Sequence, residues 1–315
     1  MFKNLYIMFS ILLLIFITSP SYCEEQGKEA QKEAQLQPVA KYGYADEAGK
    51  LVIKPQFDYA GEFTEGIAVI GIGSKYGYID KTGKMISEAK FDEAMEFCEG
   101  YAVVRAGEKY GYIDKTGKII CEPKFDFAYS FSEGYGGVQS GAKYGFIDRT
   151  GKVVIDIKFD DAWNFSEGLA MVNMGGKMNN QGMVKGGKWG FIDKTGKSVI
   201  EIKYDGAWPF SEGLAPVMIK DRWGYIDRTG KVIIEPKYIQ TIPFSEGLAA
   251  VKIKSKWGYI DKTGKLVIEP KFDFADSFSN GKGAVNTGGK MNKYGELMGG
   301  KNGYVDKSGH VEWEK

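Results

Sequence analysis

The sequence predicts an all-β protein, a tandem array of eight units of about 34 residues, each a three-stranded antiparallel meander. Two observations predict it. The first is an aromatic-glycine pair at Tyr42-Gly43, Tyr76-Gly77, Tyr110-Gly111, Tyr144-Gly145, Trp189-Gly190, Trp223-Gly224 and Trp257-Gly258, with Asn302-Gly303 as a degenerate eighth; successive spacings are 34, 34, 34, 45, 34, 34 and 45. The second is the content of each unit. Short β-branched and aromatic runs alternate with glycine-bearing turns, and no apolar i, i+3, i+4, i+7 spacing persists over a helical length. A 34-residue period also suits helical repeats, and the content excludes them.

The seventh unit justifies the elements in order. Leu248–Ile253 forms the first strand, Lys256–Asp261 the second and Leu266–Phe272 the third. Asp261-Lys-Thr-Gly-Lys265 is a tight hairpin, in which Gly264 takes a positive φ and the Asp261 carboxylate caps turn amides. The same loop starts at Asp80, Asp114, Asp148, Asp193 and Asp227, and at Asp306 with Ser for Thr. Proline falls in the third run, at Pro55, Pro123, Pro236 and Pro270, so that run should be the sheet edge, where a missing N–H breaks no ladder. A Phe-Ser-Glu-Gly connector follows, as in Phe131–Gly134 and Phe244–Gly247, and its Phe should plug the space between neighbouring sheets.

By strand alternation Trp257 and Tyr259 face one way and Ile260 the other, so both faces of a unit are apolar. One unit cannot bury both, so units must stack. An open β-solenoid-like array and a closed propeller-like ring both satisfy this demand, and the degenerate ends, Ala45 and Asn302, look like caps of an open or imperfectly closed array.

Before the repeats, residues 1–23 read as a signal peptide. Lys3 is their only charge, Leu5–Ile17 is apolar except for Ser10, and its 13 residues are fewer than the roughly 20 a membrane-spanning helix needs. Cleavage after Cys23 is expected. Lipid attachment at Cys23 is the alternative, with bulky Tyr22 against it. The protein is thus expected to be exported: periplasmic, at the cell surface or extracellular. Residues 24–37 form a polar linker, and residues 38–315 the β domain. Past Cys23 the charges balance, 41 basic against 41 acidic, which gives no field for nucleic acid or an anionic membrane. Cys98 and Cys121 stand where other units have Ser or Ile, and a disulfide between them stays open as a reading.

The consensus Lys-Trp/Tyr-Gly-Tyr/Phe-Ile-Asp-x-Thr-Gly-Lys, continuing to Phe-Ser-Glu-Gly-Leu-Ala, resembles the bacterial WG (KWG) repeat family over Lys41 to Trp313. The resemblance implies export and supplies no catalytic residue set. The N-terminal half departs from it in using Tyr for Trp.

Candidate chemistry is sparse. His310, the one histidine, sits beside a hairpin and has no Cys or His at ligand spacing, so no metal or cofactor is expected. Calcium is opposed by the Lys or Arg beside each hairpin Asp. Glycosidase-type carboxylate pairs need unlike environments, whereas these acids recur with the same neighbours. Gly175-Gly176 and Gly186-Gly187 lack the context of a phosphate loop. An enzyme is therefore not expected.

Two readings of binding remain. The repeat aromatics Tyr76, Tyr110, Tyr144, Trp189, Trp223 and Trp257 are either inter-unit core or an exposed ladder for sugar rings. Eleven-residue insertions near 174–187 and 287–300, which share Gly-Gly-Lys-Met-Asn and lie 113 positions apart, look like a duplicated three-unit block. Their Met178, Asn179, Met183, Met291, Asn292 and Tyr294 are the candidate interaction residues, because methionine adapts to varied partners. The expectation is an exported, non-catalytic scaffold for protein interactions at the bacterial envelope. The alternative is a module binding cell-wall or cell-surface polysaccharide.

Overall fold

The computed structural model describes residues 41–179, 183–292 and 296–314. The signal segment, the linker and Tyr294 lie outside the described residues. The described chain is all-β: a two-stranded sheet, Tyr42–Ala45 with Leu51–Phe57, is followed by seven four-stranded antiparallel sheets in chain order. With Pro55, Pro123, Pro236 and Pro270 on it, the third strand is the sheet edge.

Sheet two shows the common plan, with Tyr59–Ala60, Ile67–Ile72, Lys75–Asp80 and Met85–Phe91 side by side. The expected meander supplies the last three strands. A short strand is added at the other edge, so the three-stranded expectation is completed by a fourth. The chain reaches it at once: the last strand of sheet one ends at Phe57, Asp58 intervenes, and Tyr59 already belongs to sheet two. An aspartate fixes such crossings. Asp92 Oδ1 accepts from Lys75 Nζ of sheet two at 2.6 Å, and its Oδ2 accepts from Gly107 N of sheet three at 2.8 Å. Asp126, Asp160, Asp205 and Asp273 repeat the clamp.

The glycine after each repeat aromatic has a steric cause. The third strand bulges between its pairing at Phe91 and at Ser87, and there its backbone presses on the second strand. A Cβ on Gly77 would stand 2.5 Å from Ser87 O, and one on Gly111 2.4 Å from Cys121 O. Prolines such as Pro123 lie in this bulge, where the ladder asks for no N–H.

The core lies between sheets. Ile67, Val69, Tyr78 and Phe91 of sheet two pack on Phe97, Ala102, Val104 and Ile113, which lead into or lie in sheet three. The connector phenylalanine is the expected plug: Tyr78 meets Phe97 edge-on at 5.0 Å, and Tyr112–Phe131, Phe191–Phe210 and Tyr259–Phe278 repeat the contact. The tyrosine hydroxyl is satisfied as well, Tyr78 Oη donating to Met95 O at 2.8 Å. In the last of the described sheets the same position opens, so Tyr304 is 46% exposed while Tyr259 is fully buried. Truncating an interior ring should cost about 3–5 kcal/mol.

Candidate interaction surface

Both insertions prolong the loop between first and second strands. The first continues the ladder of sheet five through Gly176↔Gly186 to Met178↔Val184; the second forms its own pairing, Lys290–Met291 with Leu297–Met298. Each is rooted in a fully buried asparagine. Asn173 Oδ1 accepts from Gly176 N at 3.1 Å and its Nδ2 donates to Gly186 O at 3.2 Å; Asn286 does the same with Gly289 N and Gly299 O. A Cβ on Gly187 or Gly300 would stand 2.3 or 2.5 Å from that oxygen, which explains the glycine pairs.

At the tips Asn179 and Asn292 are turn residues. Asn179 Oδ1 accepts from Met183 N at 2.9 Å, and Asn292 Oδ1 from Glu296 N at 3.0 Å. Their side chains hold the hairpin, and Met178, Met183 and Met291 carry its exposed apolar surface. The candidate Tyr294 cannot be placed, being outside the described residues.

The repeat aromatics divide. Tyr144 is buried, whereas Tyr76, Tyr110, Trp189, Trp223 and Trp257 pack half-exposed on the margins of the inter-sheet clusters. The full core position is the aromatic two residues on, as in Tyr78, Tyr112, Phe146 and Phe191. The first aromatic thus lies on the margin of the core: alternation puts both rings on one face, but the first is nearer the loop end of the sheet.

The profile of the WG-containing repeat matches residues 42–76, 76–110, 110–144, 144–177, 189–223, 223–257 and 257–290. The chain belongs to the WG-repeat family. No curated protein is matched by the sequence. Among solved structures, a eukaryotic initiation factor resembles the chain at 8% identity and TM-score 0.48, over 79% of this chain and 85% of that one. Hsv2p of Kluyveromyces lactis does so at 10% and 0.45, over 81% and 97%, and the dihydro-haem d1 dehydrogenase NirN at 11% and 0.42, over 85% and 68%. These likenesses are too distant to bear on function.

Away from the insertions, at the other end of the strands, the WG repeats are joined by their Phe-Ser-Glu-Gly turns. Glu65, Glu99, Glu133, Glu167, Glu212 and Glu246 adopt φ between 51 and 55°, the left-handed region, which aims each carboxylate at the next repeat. Glu99 accepts from Glu133 N at 2.6 Å and Gly134 N at 2.7 Å, and pairs with Arg149 at 3.3 Å. Alongside, Ser132 Oγ donates to Phe165 O, and Ser166, Ser211 and Ser245 do likewise one repeat on. Cys98 fills the serine role, its thiol donating to Phe131 O, and Cys121 is a core residue; both thiols are free, and no disulfide joins them.

The hairpin aspartates act as the sequence predicts. Asp80 Oδ1 accepts from Thr82 N, Thr82 Oγ1 and Lys84 N. The Thr82 hydroxyl, then the backbone amides, hold this carboxyl below its usual pKa. The same bonds, outweighing partial burial, lower that of Asp114.

One acid breaks the pattern. Asp161, on the short strand of sheet five, has its pKa pushed up to about 6 by burial, against a backbone hydrogen bond from Ala162. Two residues on in the chain, Trp163 meets Trp208 of the next connector at 6.3 Å and 70°, and the two are 39% and 38% exposed. Sequence reasoning passed over all three, because one aspartate among 41 acidic residues and two connector tryptophans outside the WG pair carry no motif.

Proposed function

We propose that this WG-repeat array is an exported, non-catalytic scaffold that presents its two inserted hairpins to a protein partner at the bacterial envelope. The observation that carries the reading is the matched pair of hairpins. Each has the same buried asparagine root and capped tip, and each offers exposed methionines from a frame that is otherwise regular. Repeats that stack by nearest-neighbour contacts give a rigid base, and adaptable apolar tips on a rigid base suit protein recognition. Export is read from Lys3 and the apolar run Leu5–Ile17.

Removing residues 176–186 and 289–299 restores the two-residue loop length of the neighbouring repeats. Thermal unfolding of this variant should stay within about 1 kcal/mol of the parent once Asn173 and Asn286 are made Gln, because the bonds lost lie within the insertions. Crosslinking in the intact envelope, with a photoreactive residue at Met178 or Met291, should give a discrete adduct. If both sites give none, or the adduct persists from a photoreactive residue at Lys188 in the shortened chain, the hairpins are not the binding surface.

A further inference from the structure

After the Phe-Ser-Glu-Gly turn most repeats place an aliphatic residue, and Ile67, Leu169, Leu214 and Leu248 are buried there. Sheets three and four depart from this together, with Tyr101 and Tyr135, both half-buried. Each ring packs obliquely on the next connector phenylalanine, Tyr101 on Phe131 at 4.6 Å and Tyr135 on Phe165 at 4.9 Å. Each also lines a cleft open to solvent, of about 430 Å³ at Tyr101 and about 350 Å³ at Tyr135. Both volumes suit a small-molecule site. The clefts adjoin, because Arg149 lines both. Its side chain lies over the Gly134 turn, where a Cβ would stand 3.6 Å from Nε, and it pairs with Glu99 at 3.3 Å.

The charges inside are balanced. The first cleft sets Glu99 and Asp114 against Lys115 and Arg149. The second sets Glu133 and Asp148 against Arg149, and Lys194 pairs with Glu133 at 3.2 Å. Polar capacity is left over. Asp114 and Asp148 commit Oδ1 to their own hairpins, and among the described residues neither Oδ2 nor either tyrosine hydroxyl has a hydrogen-bond partner. A fitting ligand therefore donates to carboxylates, accepts from a guanidinium and lays an apolar face on a tyrosine. A pyranose does all three, since its hydroxyls donate and accept and its ring carries C–H faces. An anion would meet the carboxylates, and an ammonium would meet Arg149 and Lys115.

We propose that the two clefts form one groove for a neutral oligosaccharide, with one sugar ring against Tyr101, another against Tyr135 and Arg149 between them. The groove lies at the end of the strands opposite the inserted hairpins, and its tyrosines are not the WG aromatics. Its failure would leave the protein-scaffold reading untouched.

The test is isothermal titration calorimetry on the intact chain with cellotetraose, chitotetraose and maltotetraose in turn. At least one should saturate. Replacing both tyrosines, Tyr101→Leu with Tyr135→Leu, installs the residue that Leu169 and Leu214 supply in other repeats. Thermal unfolding should then stay close to that of the parent, while affinity for the tetrasaccharide falls about tenfold or more. Arg149→Lys, which copies Lys115 and Lys194 of the neighbouring repeats, should weaken binding less, because an ammonium keeps the charge and loses the planar fork. Crosslinking from Met178 and Met291 should be unchanged in all of these variants. Equal affinity of the parent and the double variant would overturn the proposal. So would saturation by none of the three sugars, or by tetragalacturonate or tetralysine in their place.

Discussion

Sheets three and five are built on one frame and differ in one row. Both bury the second aromatic of the strand, Tyr112 or Phe191, against the next connector phenylalanine, Phe131 or Phe210. Both extend a turn glutamate, Glu99 or Glu167, to the next repeat. Across the sheet, however, Arg105 pairs with Glu93 in sheet three, whereas sheet five gives that position to Asn173, and among the described residues no lysine or arginine pairs with Asp161. The lesson is that inter-sheet packing and the turn ladder hold the fold, so a row on the sheet can be respecified without disturbing either.

The largest effect should come from breaking what the two sheets share. Tyr112→Ala and Phe191→Ala should each cost about 3–5 kcal/mol in urea unfolding, and Tyr304→Ala, at the uncovered last sheet, under about 1 kcal/mol. If Tyr304→Ala were as costly as Tyr112→Ala, burial between successive sheets would not be the source of stability.

An intermediate effect should come from the ladder. Glu99→Ala leaves Glu133 N and Gly134 N without their acceptor and should cost about 1–3 kcal/mol. Glu99→Gly should cost less than Glu99→Ala, since glycine meets φ of 52° without steric penalty. The matched pair at Glu167 should rank in the same order. A reversal at either position would mean that the left-handed turn is not what directs the carboxylate.

Much of this frame was legible in advance, because its signals are local. The 34-residue period, the Asp80-type loop, the edge proline and the plugging Phe97 each follow from residues close in sequence or from alternation. The short strand was not legible, since Tyr59–Ala60 is too brief to show a period. The turn glutamates were seen only as turn formers, because Glu65 bonds Gly100 and Lys115 in the following repeat, a spacing no local pattern encodes. Asn173 and Asp161 were missed for a related reason. Their meaning lies in what stands opposite them across the sheet, and register is not visible in one sequence without the pairing.

The smallest effects, and the ones that test the difference between the sheets, are opposite in sign. Asp161 has a pKa pushed up by burial to about 6, so the folded state holds its proton more tightly than the unfolded chain does. Its contribution is therefore neutral in acid and turns destabilising as pH rises from the unfolded value, about 4, through 6. Asp161→Asn should match the parent near pH 4 and gain at neutral pH, by about 1–2 kcal/mol once its partial exposure is discounted. Glu93→Gln should instead lose a few tenths of a kcal/mol, because Arg105 then faces an amide in place of a carboxylate. The turn acids respond at the other end of the scale. Burial opposes it, but Gly247 N–H and Lys262 hold the Glu212 carboxyl below its usual range, so its support is complete above about pH 5 and disappears as acid protonates it. Parent and Asp161→Asn unfolding curves should therefore diverge between pH 4 and 7 and fall together below about pH 4. Divergence confined to the acid side would return Asp161 to the ordinary run of paired acids and remove the difference between sheets three and five.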